Sequence, residues 1–320
     1  SVSTLLIRFN KKMMQDDHFP FAMALSAIHM LASSLLCGLL YALAPSMFPA
    51  MDATLGHRHE LLRLLVPIGA LFAIMLYGSN QAYAYCSVAL LQFMKEANVM
   101  VVFLMSCAVG LQAINRLRVA LMIWVITGAA ISVSGDMHFS LVGVAFQVAS
   151  QLAECARVVL GEIVLSGRNM DPLTYTFFVA PICFLVLAVA TVCSWDHRII
   201  PALVAWWPLL LLNALVAFVL NVLVATVIKE FSAVGFTLTG LTKDIVIVAL
   251  SWLMFAEPVT ALQWGTFSMT LGGVGLWSLM KLRPRSAPVQ FLEQALCMPQ
   301  REAQDDGTAE ERARLIGRKV

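Results

Sequence analysis

Charged residues are scarce in this chain. They make up 12% of the 320 residues, against about 25% in a typical soluble domain. Hydrophobic residues reach 60%, where a soluble domain has about 45–50%. This balance excludes an ordinary soluble domain and predicts an integral membrane protein that crosses the bilayer several times. The net charge of +2 is too small to indicate a nucleic-acid partner.

Motifs for redox, metal and nucleotide chemistry are also lacking. The seven cysteines form no CxxC pair, and six of them lie in or beside apolar runs, so we interpret them as small packing residues. The sequence contains no metal-ligand cluster, no nucleophile triad and no P-loop. We therefore expect no cofactor, no enzymatic reaction and no ATP-driven transport by this chain.

What the sequence has instead is a series of long apolar runs separated by short polar loops. The stretch from Leu64 to Met94 holds 31 residues without a formal charge, too many for one crossing of about 20 residues, so we divide it at Tyr85-Cys86-Ser87. The opening residues are expected to be the second half of a truncated first span. The ten predicted spans are 1–14, 21–45, 63–85, 88–111, 119–135, 139–165, 172–195, 199–228, 232–255 and 258–280.

The polar segments suggest an orientation for these spans. Most lysines and arginines of the loops fall on one side, which the positive-inside rule assigns to the cytosol together with the C-terminus. We expect residues 1–281 to form the membrane domain and residues 282–320 to form a charged, mostly disordered cytosolic tail. Within that tail, the apolar run at 289–298 predicts a short surface helix.

Two of the spans carry a lysine followed by a carboxylate. Lys95-Glu96 lies in span four, and Lys243-Asp244 lies in span nine. Each charge costs roughly 2.5–3.5 kcal/mol at the centre of a membrane helix, so such residues usually face a partner or a water-filled path. We expect the two lysines to bind an anionic substrate. The alternative is that a carboxylate neutralises each lysine and that both serve packing alone.

The positions of these two pairs predict an internal repeat. Both fall in the fourth span of a five-span half, about residues 1–135 and 139–281. Two five-span halves insert with opposite orientations, and inverted repeats with a site near the midplane are a transporter architecture. The expected fold is therefore an all-α membrane protein with a ten-helix, 5+5 inverted repeat.

Span six carries three more charges. Glu154 and Arg157 are three positions apart and share a helix face, so they could form a local ion pair or act as a gate or substrate contact. Glu162 is nearer the end of the span and is expected at the membrane interface.

Small polar side chains inside the spans are candidates for substrate recognition, and equally for hydrogen bonds between helices. His29 is expected to be a hydrogen-bonded core residue rather than a proton relay. Glycines of span ten indicate a close-packing face, namely Gly265, Gly272, Gly273 and Gly275. The polar candidates are Ser79, Asn80, Asn213, Asn221, Thr237 and Thr239.

Five stretches of the sequence together resemble the triose-phosphate and nucleotide-sugar translocator family of the drug/metabolite transporter superfamily. The resemblance implies a ten-helix inverted repeat that exchanges organic phosphates across an organelle membrane by alternating access. The stretches are residues 10–30, 79–97 (SNQAYAYCSVALLQFMKEA), 151–165 (QLAECARVVLGEIVL), 169–181 (NMDPLTYTFFVAP) and 239–277.

The same resemblance implies roles for individual residues. In the plastid phosphate translocators of the family, a lysine at the position of Lys95 and a Lys-Arg pair at that of Lys243-Asp244 hold the phosphate. An arginine of that type falls on Arg157, and a threonine falls on Ser79. Because Asp244 stands where that type has arginine, a small dianion would lose a bidentate partner. The Lys-Asp variant is similar to non-plastid branches, several of which carry nucleotide sugars.

The sequence as a whole predicts a secondary antiporter that exchanges a nucleotide sugar for a nucleoside monophosphate in the Golgi or endoplasmic-reticulum membrane. Its partners would be this anionic small molecule and the lipid bilayer, with a homodimer and a plastid location left open. The alternatives are a sugar-phosphate/inorganic phosphate exchanger and an exporter of neutral metabolites. A receptor or scaffold is disfavoured by the membrane lysines in both halves.

Overall fold

The computed structural model describes most of the chain. It covers residues 18–54, 58–86, 98–112, 114–132, 140–255, 261–282 and 286–295, with the single positions 6, 9, 10, 13, 91, 94 and 95. Within these ranges, the backbone alone is described at 83–84, 129–132, 241–255, 261–264, 266–267, 270, 278, 281–282 and 295.

In these described ranges the chain forms helices joined by short turns, without a strand. The helices are α1 (Ala22–Leu43), α2 (Arg58–Tyr85), α3 (Asn98–Ala108), α4 (Arg116–Ser132), α5 (Leu141–Glu162), α6 (Pro172–Cys193), α7 (Ile199–Phe255), α8 (Ala261–Leu282) and α9 (Ala287–Ala295). A π-helical turn, Ile163–Gly167, continues α5.

Four of the described segments are long and apolar enough to cross a bilayer: Ala22–Leu43, His59–Ala82, Pro172–Cys193 and Ile199–Gly240. Large apolar side chains on their outer faces are exposed, such as Leu43 at 75% and Val204 at 69%. Exposed apolar surface on this scale is unusual for a soluble monomer and suits contact with lipid. The prediction of several membrane-crossing helices is confirmed for this part of the chain.

Two predicted boundaries between spans are confirmed. Helix α2 ends at Tyr85, where the long uncharged stretch was divided. Helix α7 runs over two predicted spans, but Ser232 has φ 72° and ψ 170°, so the helical path is broken at the residue that was expected to begin span nine. Of predicted span one, only Leu6, Phe9, Asn10 and Met13 fall within the description.

The short helix predicted after the last span is also present, as α9. It is not an isolated surface helix, because Val289 is 1% exposed and belongs to the main apolar core, whereas Phe291 is 70% exposed. The prediction for the tail from residue 296 onward lies outside the described residues.

Helices α1 and α6 pack against each other in opposite directions. Asp171, which caps α6 by accepting from the Thr174 N–H at 2.8 Å, also accepts from the Ala50 N–H beyond the end of α1 at 3.0 Å. At the other end, the Arg198 guanidinium, which follows α6, lies 5.9 Å from the ring of Phe21 before α1. The end of each helix therefore meets the beginning of the other.

Helices α2 and α5 form a second antiparallel pair with a close approach. A Cβ at Gly78 would lie 2.9 Å from the Phe146 carbonyl oxygen, and the Ser150 hydroxyl donates to the Met75 carbonyl at 2.7 Å. Glycine at this position lets the two backbones approach, as is common between membrane helices.

Helices α4 and α8 also pack together, and here the predicted glycine face is corrected. A Cβ at Gly273 would lie 2.5 Å from Val125 and 2.9 Å from Trp124, whereas Gly265, Gly272 and Gly275 have nothing within 4 Å of a Cβ. Only Gly273 of the four is turned toward α4, because successive helical residues point about 100° apart.

Candidate functional site

A row of polar side chains runs along the inner side of helix α5. Gln147, Gln151 and Glu154 are spaced by four and three residues, and Arg157 follows three residues later, so they share one side of the helix. Gln147 is fully buried and Gln151 is 8% exposed, while Glu154 and Arg157 are half-buried. The row therefore faces the interior of the helix bundle.

Glu154 has a partner on helix α3 rather than on its own helix. The Asn98 side-chain amide donates to Glu154 Oε2 at 3.0 Å, and the next residue, Cys155, donates to the Asn98 carbonyl at 3.8 Å. No ion pair joins the described side chains of Glu154 and Arg157. The local ion pair that the spacing allowed is thus not formed in this structure, because Glu154 is turned toward α3.

Arg157 is turned toward helix α2. Its guanidinium carbon lies 5.1 Å from the centre of the Phe72 ring, a cation–π distance. Among the described residues Arg157 makes no ion pair, and its buried Nε has no hydrogen-bond partner. A cation held in this way keeps the capacity to bind an anion with directed N–H groups.

Lys95 lies one helical turn before Asn98, the partner of Glu154. It is helical and half-buried, three residues before Asn98. Asn98 contacts Glu154. In the predicted topology spans four and six run in the same direction, so we expect Lys95 to be about level with Gln151, three residues before Glu154. Glu96 lies outside the described residues.

Lys243 and Asp244 lie in the helical backbone of the second part of α7, and their side chains are outside the description. Lys243 is eleven residues beyond the break at Ser232, a rise of about 16 Å along the helix. That is near half the thickness of the hydrocarbon core of a bilayer. With the break at the membrane edge, as predicted for span nine, we expect Lys243 near the membrane midplane.

The small polar candidates divide into two groups. Asn221 donates to the Ser33 hydroxyl on α1 at 3.1 Å, and the Thr239 hydroxyl donates to the carbonyl of Gly235 at 2.8 Å. Both therefore already serve contacts within the protein. Ser79 and Asn80 are half-buried on α2.

His29 is a hydrogen-bonded core residue, as predicted. It is buried on α1, and its Nε2 pairs with Asn213 Oδ1 on α7. The Asn213 amide also donates to Asn10 Oδ1 at 2.9 Å, so this network ties predicted span one to α7.

Glu162 was expected at the membrane interface, and its depth in the membrane stays a prediction, but the structure shows the side chain enclosed by protein. Its side chain is 1% exposed, and Oε2 accepts from the backbone N–H of Ala233 at 2.8 Å. The break at Ser232 frees this N–H from the helical ladder, and a buried N–H needs a partner. Glu162 supplies it from the end of α5.

Three further buried polar residues of this row and its partner helix, Asn98, Gln147 and Gln151, were not predicted from the sequence. Among the described residues, both amide atoms of Gln147, Nε2 of Gln151 and Oδ1 of Asn98 are buried without a hydrogen-bond partner. Each unpaired buried group costs about 1–3 kcal/mol. The signal that could have revealed the two glutamines is their position three and seven residues before Glu154, which extends the charged face of span six by two turns.

Most of the sequence matches one known protein family. The model of the Triose-phosphate Transporter family matches residues 2–278. The chain belongs to this family. This match confirms the resemblance found in the sequence. The protein is a multi-pass membrane protein, and its family consists of transporters.

Individual relatives of this family member come from Arabidopsis thaliana. One probable sugar phosphate/phosphate translocator is 29% identical over 87% of this chain and 84% of its own length. Another protein of that description is 30% identical over 88% of this chain and 76% of its own length. UDP-galactose transporter 1 is 21% identical over 86% of this chain and 83% of its own length.

Proposed function

We propose that this protein is a secondary antiporter that exchanges a sugar phosphate for inorganic phosphate across a membrane. The observation that carries the proposal is Arg157, a half-buried cation in a membrane helix that has no ion-pair partner among the described residues. The two relatives with 29% and 30% identity are both probable sugar phosphate/phosphate translocators, which supports the same substrate class.

The proposed architecture is the ten-helix inverted repeat, with halves at about residues 1–135 and 139–281. Exchanging the halves would map α1 onto α6, α4 onto α8 and α2 onto the first part of α7. The contacts α1–α6 and α4–α8 then map onto themselves, and the contact α2–α6 maps onto α7–α1. All four contacts are present, which supports a two-fold relation of this kind.

The proposed substrate site combines cations from both halves. Lys95 and Lys243 would hold the phosphate group from opposite sides, with Arg157 as a third cation and Ser79 as a hydroxyl donor. Charge-assisted hydrogen bonds to phosphate are about twice as strong as neutral ones. An exporter of neutral metabolites would need these cations neutralised, and Arg157 forms no ion pair with Glu154 or with another carboxylate among the described residues.

Exchange of a nucleotide sugar is the second candidate. Asp244 beside Lys243 favours it, because a carboxylate there weakens the grip on a small dianion, and so does the similarity to UDP-galactose transporter 1 at 21% identity. Asn80, Asn221 and Thr239 were the residues expected to contact the base and sugar. The existing hydrogen bonds of Asn221 and Thr239 leave less capacity for that role.

The location also depends on the substrate. The Golgi or endoplasmic-reticulum membrane was predicted for a nucleotide-sugar carrier, so it stays a prediction that microscopy of a tagged protein can test. A homodimer and a cytosolic C-terminal tail stay predictions as well.

A counter-exchange assay in proteoliposomes tests the function. Vesicles are preloaded with inorganic phosphate, with a nucleoside monophosphate or with buffer alone, and uptake of labelled phosphate, sugar phosphates and nucleotide sugars is measured. We expect sugar-phosphate uptake only into phosphate-loaded vesicles. Uptake of a nucleotide sugar that requires an internal nucleoside monophosphate would overturn the proposal in favour of the second candidate.

A further inference from the structure

We propose that Gln151 and Asn98 form an uncharged part of the site that binds a hydroxyl group on the carbon skeleton of the substrate. This inference rests on the proposed exchange of a sugar phosphate for phosphate. It adds the residues by which the protein would distinguish the sugar phosphate from inorganic phosphate, which has no carbon-bound hydroxyl.

The unsatisfied atoms of the two side chains are chemically complementary to a hydroxyl. Nε2 of Gln151 is a donor without a partner, and Oδ1 of Asn98 is an acceptor without a partner, among the described residues. A hydroxyl group both donates one hydrogen bond and accepts others. One hydroxyl could therefore accept from Gln151 and donate to Asn98.

The fold brings these two side chains near one another. Asn98 on α3 donates to Glu154 on α5 at 3.0 Å, and Gln151 precedes Glu154 by one turn of the same helix. Both side chains are 8% exposed. The bond to Glu154 uses the amide nitrogen of Asn98 and leaves its oxygen available, so the amide orientation is fixed by a neighbour rather than by the substrate.

Their position also suits a substrate held by the three cations. Lys95 is one turn before Asn98 on the same segment, and Arg157 is six residues after Gln151, about 9 Å along α5. One substrate molecule could then place its phosphate group at the cations and a hydroxyl group at the two amides.

Two buried neighbours on α5 are less suited to this role than Gln151. Ser150 is also buried, but its hydroxyl already donates to the Met75 carbonyl of α2 at 2.7 Å, so it belongs to the packing between α2 and α5. Gln147 is one turn further along the row and is fully enclosed. We therefore assign the hydroxyl to Gln151 and Asn98.

The test measures selectivity in phosphate-loaded proteoliposomes. Exchange of phosphate for phosphate is recorded first, and its inhibition by a sugar phosphate is then titrated. For Gln151→Leu we expect the sugar phosphate to inhibit about tenfold more weakly, the effect of about one lost hydrogen bond, while the KM for phosphate is unchanged. Ser150→Ala, at the same depth of the same helix, is the matched control and should leave both values unchanged.

A deoxy series identifies the hydroxyl group. Sugar phosphates that each lack one hydroxyl are compared with the parent compound on the unmodified protein and on Gln151→Leu. One deoxy analogue should inhibit the unmodified protein more weakly than the parent does. Its inhibition should not weaken further in Gln151→Leu, because the analogue has no hydroxyl for Gln151 to contact. Gln151→Met, which keeps the length of the side chain, serves as a second variant.

The outcomes separate this inference from the proposed function. An equal loss of phosphate exchange and sugar-phosphate inhibition would overturn the hydroxyl site, since it would show a structural role. If the parent compound and every deoxy analogue inhibit the unmodified protein equally, the hydroxyl site is overturned by that result alone. An unmodified protein that exchanges no phosphate would overturn the proposed function and this inference together.

Discussion

The carboxylate of Glu162 accepts a hydrogen bond from the backbone N–H of Ala233 at 2.8 Å. This bond joins the end of α5 to the break in α7, where Ser232 is 3% exposed and has a positive φ of 72°. A negative charge at the beginning of a helical segment is favourable, because unpaired N–H groups and the helix dipole meet there. Glu162 therefore fixes the start of the segment that carries Lys243.

Replacement of Glu162 should lower the stability of the protein, and the loss should be larger when the new side chain has no hydrogen-bond acceptor. Glu162→Leu removes the acceptor and leaves the buried Ala233 N–H unpaired, so we expect a loss of about 1–3 kcal/mol of stability. Glu162→Gln keeps an acceptor oxygen and should cost less. The measurement is thermal denaturation of the detergent-solubilised protein.

A charge at the edge of the bundle provides the control for Glu162. The Glu60 side chain is 56% exposed, and its Oε2 lies 3.5 Å from Nη1 of Arg168. Exposed ion pairs of this kind contribute little to stability. Glu60→Gln should therefore leave the melting temperature nearly unchanged. If Glu162→Leu has the same melting temperature as Glu60→Gln, the bond to Ala233 does not stabilise the fold.

Each of the two membrane lysines should be required for exchange. We expect Lys95→Ala and Lys243→Ala to abolish exchange of an anionic substrate while the protein still inserts into the membrane. Replacement by arginine should also impair exchange, because a planar guanidinium does not reproduce a compact ammonium group. Counter-exchange in proteoliposomes measures this effect. Lys229→Ala, which removes a lysine at the end of predicted span eight and outside the proposed site, is the control and should keep exchange. Normal exchange by either alanine variant would contradict the proposed site.

Arg157 should act on the substrate rather than on Glu154. Because Glu154 is bonded to Asn98 and not to Arg157, we expect Arg157→Met to fold and to lose exchange. The double variant Glu154→Gln with Arg157→Met should stay inactive, since the role of Arg157 is not to neutralise Glu154. Size-exclusion chromatography checks folding and counter-exchange checks activity. A double variant with full activity would show that the two residues only compensate each other.

The adjacent glycines of α8 should respond differently to the same added methyl group. A Cβ at Gly273 meets Val125 and Trp124, whereas a Cβ at Gly272 meets nothing within 4 Å. We expect Gly273→Ala to cost about 1–3 kcal/mol through overpacking, and Gly272→Ala to be neutral or slightly stabilising. Thermal denaturation of the two variants side by side measures this difference, and equal melting temperatures would contradict the packing of α4 on α8.

The sequence alone was sufficient to locate two breaks between helices. The end of α2 at Tyr85 follows from the limit on the length of one span, and the break at Ser232 follows from the charged pair Lys229-Glu230 between two apolar runs. Hydropathy and length are local properties, so they can be read from consecutive residues. The substrate class followed less directly, because the Lys-Asp variant favoured nucleotide sugars while the relatives with the higher identities are sugar phosphate/phosphate translocators.

Sequence by itself determined that this protein is a bundle of apolar helices with a few costly polar groups inside it. Only the tertiary structure decided which partner each of those groups has. Glu154 bonds to Asn98, 56 residues away, and Glu162 bonds to Ala233, 71 residues away. Such partners depend on how each helix is rotated about its axis and which helix packs beside it. That choice is made by packing across the whole bundle, and the local pattern of residues does not contain it.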